Sequence, residues 1–161
     1  MSMFEIREAR PTDVSTLMSM IGDLAEYERL SDQVVGTAVE LHDSLFGQDR
    51  SAYALIALED GVPVGYAIYF FNFSTFLCRK GLYVEDVYVE PSRRGRGYGK
   101  NLLARLAQIA ADKGCGRMEW AVLDWNAPAI RFYESLGARP LSGWTTFRVE
   151  GDSIAAIARS T

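Results

Sequence analysis

"GLYVEDVYVEPSRRGRGYGKNLL", residues 81–103, holds the reading that decides the fold. Its first part, "GLYVEDVYVEP" (81–91), is rich in β-branched and aromatic residues and is closed by Pro91, which reads as a strand. Three glycines, Gly95, Gly97 and Gly99, then alternate with Arg96 and Tyr98. A helix is predicted from about Gly97 to Lys113, with Leu102, Leu103, Leu106, Ala107 and Ala110 as its apolar face and Gly114 as its stop. A strand feeding a helix through glycines can turn consecutive backbone N–H groups toward an anion. The start of the helix adds its positive end, and Arg93, Arg94, Arg96 and Lys100 add charge. The same residues also read as a glycine-rich turn with a solvated basic face.

Working outward, "FEIREA" (4–9) is an opening strand, and Pro11 ends it. Thr12 or Asp13 can cap a helix running to about Tyr27, whose apolar set is Val14, Leu17, Met18, Ile21, Leu24 and Ala25. A shorter helix is expected near 37–46, with Thr37 as its cap. "AYALIALED" (52–60) and "VGYAIYFFNF" (64–73) flank the turn "DGVP" and read as a hairpin. "RMEWAVL" (117–123) is a strand. "NAPAIRFYESLG" (126–137) is a helix with Asn126 as cap, Pro128 in its first turn and Gly137 at its end. Two more strands are expected near 138–149 and 152–157. The order β-α-α-β-β-β-α-β-α-β-β describes a mixed α/β sheet flanked by helices, one domain over residues 1–161.

Composition narrows the function. The 161 residues are 48% hydrophobic and 24% charged, ordinary for a globular domain. The formal net charge of −4 disfavours a nucleic-acid partner, which calls for a basic excess. Cys78 and Cys115 form no CxxC pair and His42 is alone, too few ligands for a structural zinc, so no metal is expected. Two thiols without a signal peptide read as reduced and cytoplasmic. No apolar run approaches the ~20 residues that span a membrane.

Two familiar phosphate loops fail on this sequence. G-x-x-x-x-G-K-[ST] would need glycine at Arg94 and Ser or Thr at Asn101. G-x-G-x-x-G would need glycine at Lys100 or at Leu102. Arg94-x-x-Gly97-x-Gly99 instead resembles the R/Q-x-x-G-x-G/A loop of the GNAT superfamily of N-acetyltransferases, which binds the pyrophosphate of coenzyme A. "IREARPTD" (6–13) and "WNAPAIRFYESLGA" (125–138) extend the resemblance over the whole chain. "LAEYE" (24–28), "LYVEDVYV" (82–89), "RGRGYG" (94–99), "AVLDWN" (121–126) and "FYESLGA" (132–138) are similar to the diamine acetyltransferase group within it.

That resemblance implies acetyl-CoA as acetyl donor and a set of coenzyme contacts. They come from Val87, Tyr88 and Val89, from Arg94, Gly95, Arg96, Gly97, Tyr98, Gly99 and Lys100, and from Asn126, Ala127, Pro128, Ala129 and Tyr133. It also implies a bulge in the strand holding Glu85 and Asp86, which strict alternation would send to opposite faces. The amides of Val87 and Val89 are then expected to bond the acetyl carbonyl and the pantetheine arm. Glu85 is the candidate base, directly or through a water, and its mostly apolar strand predicts a pKa raised by desolvation. Read from the strand alone, it is equally an edge carboxylate facing water. Tyr133 is the candidate acid for the departing thiolate, its phenol protonated at neutral pH with an ordinary pKa of about 10. It follows Asn126 by seven residues, nearly two helical turns, which puts both on almost one face about 10 Å apart. On spacing alone, Tyr133 is as well a core aromatic like Phe132 and Leu136. Tyr27, Glu28, Glu85 and Asp86 are the implied contacts of a cationic substrate, though Glu28 by itself reads as an exposed glutamate.

The segment "NFSTFLCRKG" (72–81) departs from the polyamine enzymes, with Ser74 where they carry an acidic residue and with Arg79 and Lys80 following. This favours a small diamino acid such as thialysine, ornithine or lysine, with Arg79 or Lys80 pairing its carboxylate, over spermidine or spermine. A protein substrate and a non-catalytic acyl-CoA-binding module are the competing readings. The group resembles a homodimer, and "FFNFSTF" (70–76) is apolar enough to want cover.

Overall fold

The computed structural model describes residues 1–160 and divides into two compact units, Met1–Leu123 and the residues from Asp124 onward. In the first unit the elements are β1 (Phe4–Glu8), α1 (Val14–Tyr27), α2 (Ala38–Phe46), β2 (Tyr53–Glu59), β3 (Val62–Ser74), β4 (Arg79–Val89), α3 (Tyr98–Asp112) and β5 (Met118–Trp120). One sheet carries them in the order β1-β2-β3-β4-β5. The first three pairings are antiparallel, and β5 joins β4 in parallel over Leu82–Val84 only.

Alternation divides the sheet into two buried faces. Ala54, Ile56, Leu58, Tyr66, Ile68 and Tyr88 form one core with Leu17 and Met20 of α1 and Leu45 of α2. Leu102, Leu103, Leu106 and Ala110 are the buried stripe of α3, a helical period, whereas Ala107, expected on that face, is exposed. On α1 the buried set is Val14, Leu17 and Met20, so Met20 takes a core place that the sequence reading gave to Met18. Thr37 caps α2 as expected, in a reciprocal box with Glu40. Asp13 stands at the start of α1 but bonds Arg7 at 2.7 Å and the Arg10 amide at 2.7 Å rather than capping the helix.

The second unit holds α4 (Ala127–Ser135) and α5 (Asp152–Ala158). The two strands expected near 138–149 and 152–157 are not formed. Residues 138–151 have no regular element beyond turns, and 152–157 is helical. Trp144 and Phe147 are 80% and 92% exposed, so the alternating apolar residues that would reward a strand bury almost nothing. In "DSIAAIA" the local preference prevails: alanines favour helix and Asp152 sits in the first turn, at the positive end. The rest of the expected order is observed within one to three residues at each end. The exception is β5, three residues long where seven were expected.

Candidate active site

The centre of the site is a bulge in β4. Asp86 pairs with Ile68 but Val84 pairs with Tyr69, so Glu85 is an extra residue without a partner on β3. The bulge resets the alternation. Asp86 lies on the face that carries Tyr66, Ile68 and Tyr88, and Tyr83 joins that face, its ring 5.0 Å from Phe70. The bulge also redirects the backbone. Glu90 N–H bonds Val64 O at 2.9 Å, so by antiparallel alternation the N–H groups of Val87 and Val89 point away from β3. That is the edge which β5 leaves open beyond Val84.

The carboxylates are arranged differently from the sequence expectation. Glu85 is exposed, so the desolvation expected for it falls instead on its neighbour. Burial pushes the Asp86 carboxyl up to about 6, with the charges of Glu85 and Glu28 adding to the rise. Tyr66 opposes this by donating to Asp86 Oδ2 at 3.2 Å. Glu28, just past the end of α1, is half-buried rather than exposed, and burial raises its carboxyl too. Tyr66 was missed by the sequence reading because it alternates with its strand as any core residue would. A fully buried tyrosine hydroxyl nevertheless needs a partner, and this one has Asp86.

The glycine loop follows a turn at Pro91–Arg93. Gly95 and Gly97 have φ of +78° and +83°, values that favour glycine. Asn101 N–H is the first to bond back, to Gly97 O, which leaves the amides of Tyr98, Gly99 and Lys100 without helical partners. The side chains behave otherwise than expected. Arg93 and Arg96 both pair with Glu59 at the end of β2, at 2.5 and 2.8 Å, and Tyr98 donates to the same carboxylate at 2.6 Å. The Tyr98 hydrogen bond, with the two arginine charges, holds the Glu59 carboxyl below its ordinary range. Tyr98 is buried and stacks on Phe4, centroids 4.0 Å apart. The loop therefore offers an anion its amides and the exposed Lys100, while Glu59 offsets part of the arginine charge. Glu59 had no sequence signal, since the end of a strand before a D-G turn is an ordinary place for a glutamate.

Arg94 donates from Nε to Val89 O at 2.9 Å and lies over the Tyr27 ring at 4.8 Å, an arrangement that ties the loop to the end of α1. Beside it is an open groove of about 590 Å³ lined by Asp23, Glu26, Tyr27, Tyr88, Glu90, Pro91, Ser92 and Arg94. Glu28 and Asp86 are not in its lining. Arg79 and Lys80 stand at the far end of β4, about 20 Å of strand from Asp86. Lys80 lies over the Phe71 ring at 5.2 Å, and Ser74 is buried, accepting from Leu77 N–H. That separation along the strand puts Arg79 and Lys80 too far away to pair with the carboxylate of a small diamino acid whose ammonium is held at Asp86.

In the second unit, Asn126 caps α4 by accepting from Ala129 N–H at 3.4 Å, which leaves its amide NH₂ as a donor. Pro128 sits in the first turn; Ala127 and Pro128 are exposed, and Ala129 is half-buried. Tyr133 is half-buried in the last turns of the same helix, its ring 5.7 Å from Phe132.

Comparison with known proteins places these features in one family. Residues 19–138 match the Acetyltransferase (GNAT) family. The chain is 42% identical over 164 residues to a thialysine N-epsilon-acetyltransferase of Sus scrofa, covering 95% of this chain and 96% of that one. It is 31% identical over 197 residues to an L-ornithine N5-acetyltransferase of Arabidopsis thaliana, covering 94% and 86%. Among solved structures, an integron cassette protein from the mobile metagenome of V. cholerae superposes with a TM-score of 0.81 at 27% identity, covering 98% of each chain. The matched residues run from within α1 through the β4 bulge and the glycine loop to just beyond α4, and on that ground the chain belongs to the GNAT acetyltransferase family and is an N-acetyltransferase.

Proposed function

We propose that this chain is an acetyl-CoA-dependent N-acetyltransferase acting on the side-chain amine of a small diamino acid such as thialysine, ornithine or lysine. The observation that carries the reading is the carboxylate cluster of Asp86, Glu28 and Glu85 around the β4 bulge, suited to an ammonium substrate. The thialysine and ornithine enzymes among its relatives support the choice of amine. Acetyl-CoA supplies the thioester. The amides of Gly95 to Lys100 hold its pyrophosphate, with Arg94 and the Val87–Val89 edge completing the coenzyme contacts. Asp86, Glu28 and Tyr27 hold the substrate, and Glu85 or Asp86 receives the amine proton. Of these two, Asp86 titrates near 6, within the range that suits a base at neutral pH. Asn126 and its neighbours Ala127, Pro128 and Ala129 bind the coenzyme arm, and Tyr133 protonates the leaving thiolate.

A long polyamine needs a further acidic contact, and a buried Ser74 in its tight turn supplies none. A missing charge-assisted contact costs roughly 1.5–3 kcal/mol. The kcat/KM for thialysine, ornithine or lysine is therefore expected to exceed that for spermidine by at least about tenfold. Initial rates with each amine measure this, and a preference for spermidine would move the enzyme to the polyamine acetylators.

We also read the chain as one catalytic domain, since the family match crosses Leu123 and Asp124 without interruption. We place it in the cytoplasm, without a nucleic-acid or membrane partner. It forms a homodimer: Phe73, Phe76 and Leu77 at the tip of the β3–β4 hairpin are 65%, 94% and 47% exposed and call for cover. A monomer mass by light scattering at micromolar concentration would count against the dimer.

A further inference from the structure

Tyr66 contributes a hydroxyl that the transfer chemistry described so far does not use. Its position follows from the sheet register. Tyr66 lies directly opposite Tyr88, and Asp86 is two residues along on the same face, the diagonal place that a tyrosine can reach. The β4 bulge is what puts Asp86 there. Tyr66 is fully buried among Leu17, Met20, Ile56 and Tyr88, so its ring cannot swing away, and its hydroxyl meets Asp86 Oδ2 at 3.2 Å.

We propose that Tyr66 is a positioning residue for acetyl transfer, its hydroxyl holding Asp86 ionised and oriented toward the substrate ammonium against the repulsion of Glu28 and Glu85. The inference rests on the proposed diamino acid chemistry, in which Asp86 must carry its charge to hold the amine. The groups acting on Asp86 come from three elements: Tyr66 from β3, Glu85 from β4 and Glu28 from the end of α1, while Tyr88 of β4 acts on Tyr66. Burial and the two glutamates favour the protonated carboxyl, and the Tyr66 hydrogen bond alone favours the ionised one. Burial and the Asp86 charge push the Tyr66 phenol up, so it stays a neutral donor throughout the working range.

The two sides of this balance predict shifts in opposite directions. In Tyr66→Phe the acidic limb of kcat/KM with lysine moves up in pH, by roughly half a unit or more for one lost hydrogen bond. In Glu28→Gln the limb moves down, because a like charge is gone. Loss of packing alone would lower kcat/KM at every pH and leave the limb in place, and that result overturns the proposal. Carbon-detected NMR titration of the Asp86 carboxyl in the free protein must show the same pair of shifts. It reads Tyr66 whether or not any amine is turned over, so a failed amine assay beside a shifted titration overturns the proposed function and not this coupling. If Tyr66→Phe does not fold, Glu28→Gln still decides: a carboxyl that titrates as in the wild type contradicts the charge balance.

Discussion

Tyr133→Phe lowers kcat by about 10²–10⁴-fold while acetyl-CoA binding stays near the wild-type value. The substitution keeps the ring and its contact with Phe132 and removes only the hydroxyl. α4 is anchored at its start by the Asn126 cap and Pro128, so the ring at position 133 rides on a defined helix rather than a loop. A phenol is a proton donor, and a departing thiolate is the group that needs one. Phenylalanine separates chemistry from packing in a way that alanine would not. Steady-state kinetics beside a thermal melt read both. Wild-type turnover with an unchanged melting temperature would make Tyr133 a packing residue.

Asp86→Asn has two effects of opposite sign. At pH 7.5 it stabilises the fold by on the order of 1–3 kcal/mol, and it reduces kcat/KM by roughly ten- to a hundredfold or more. The sign of the first follows from linkage. The folded protein binds the Asp86 proton more tightly than the unfolded chain does, since its carboxyl is raised from 3.8 to about 6. Wild-type stability therefore falls as pH rises from about 4 to about 6, by up to about 3 kcal/mol from this group. Asparagine keeps the shape and an oxygen for Tyr66 to donate to, and carries no charge to desolvate. Below about pH 4 the two proteins converge. Denaturant melts at pH 4 and pH 7.5 measure the difference, and a variant less stable than wild type at pH 7.5 would mean that Asp86 stabilises the fold. Stability given up at a buried carboxylate is the pattern expected where a charge is kept for substrate.

Most of the fold could be read from the sequence where local and tertiary preferences agree. The Thr37–Glu40 box, the hairpin around Asp60 and Gly61, the helix after the glycine loop and the Asn126 cap are examples. The reading failed at the end of the chain, where β-prone residues around Trp144 and Phe147 lack the paired strand that would reward them. In the site, the glycines and the bulge were legible through a family resemblance, because both are backbone features tied to residue type. Glu59, gathering Arg93, Arg96 and Tyr98 from nearly forty residues away, was not, because nothing in a strand end announces its partner. Nor was it legible that Asp86, not Glu85, is the more buried of the two carboxylates. Which of two adjacent carboxylates is buried depends on where the extra residue falls in the ladder, and that is a property of the register.

The most direct test of the account is mass spectrometry of the products formed from acetyl-CoA and lysine or thialysine. The account predicts a mono-acetylated amino acid, modified on its side-chain amine, with one free coenzyme A released for each molecule formed and with both products strongly reduced in Asp86→Asn and Tyr133→Phe. No acetylated product from any of thialysine, ornithine or lysine, with acetyl-CoA left intact, would contradict it.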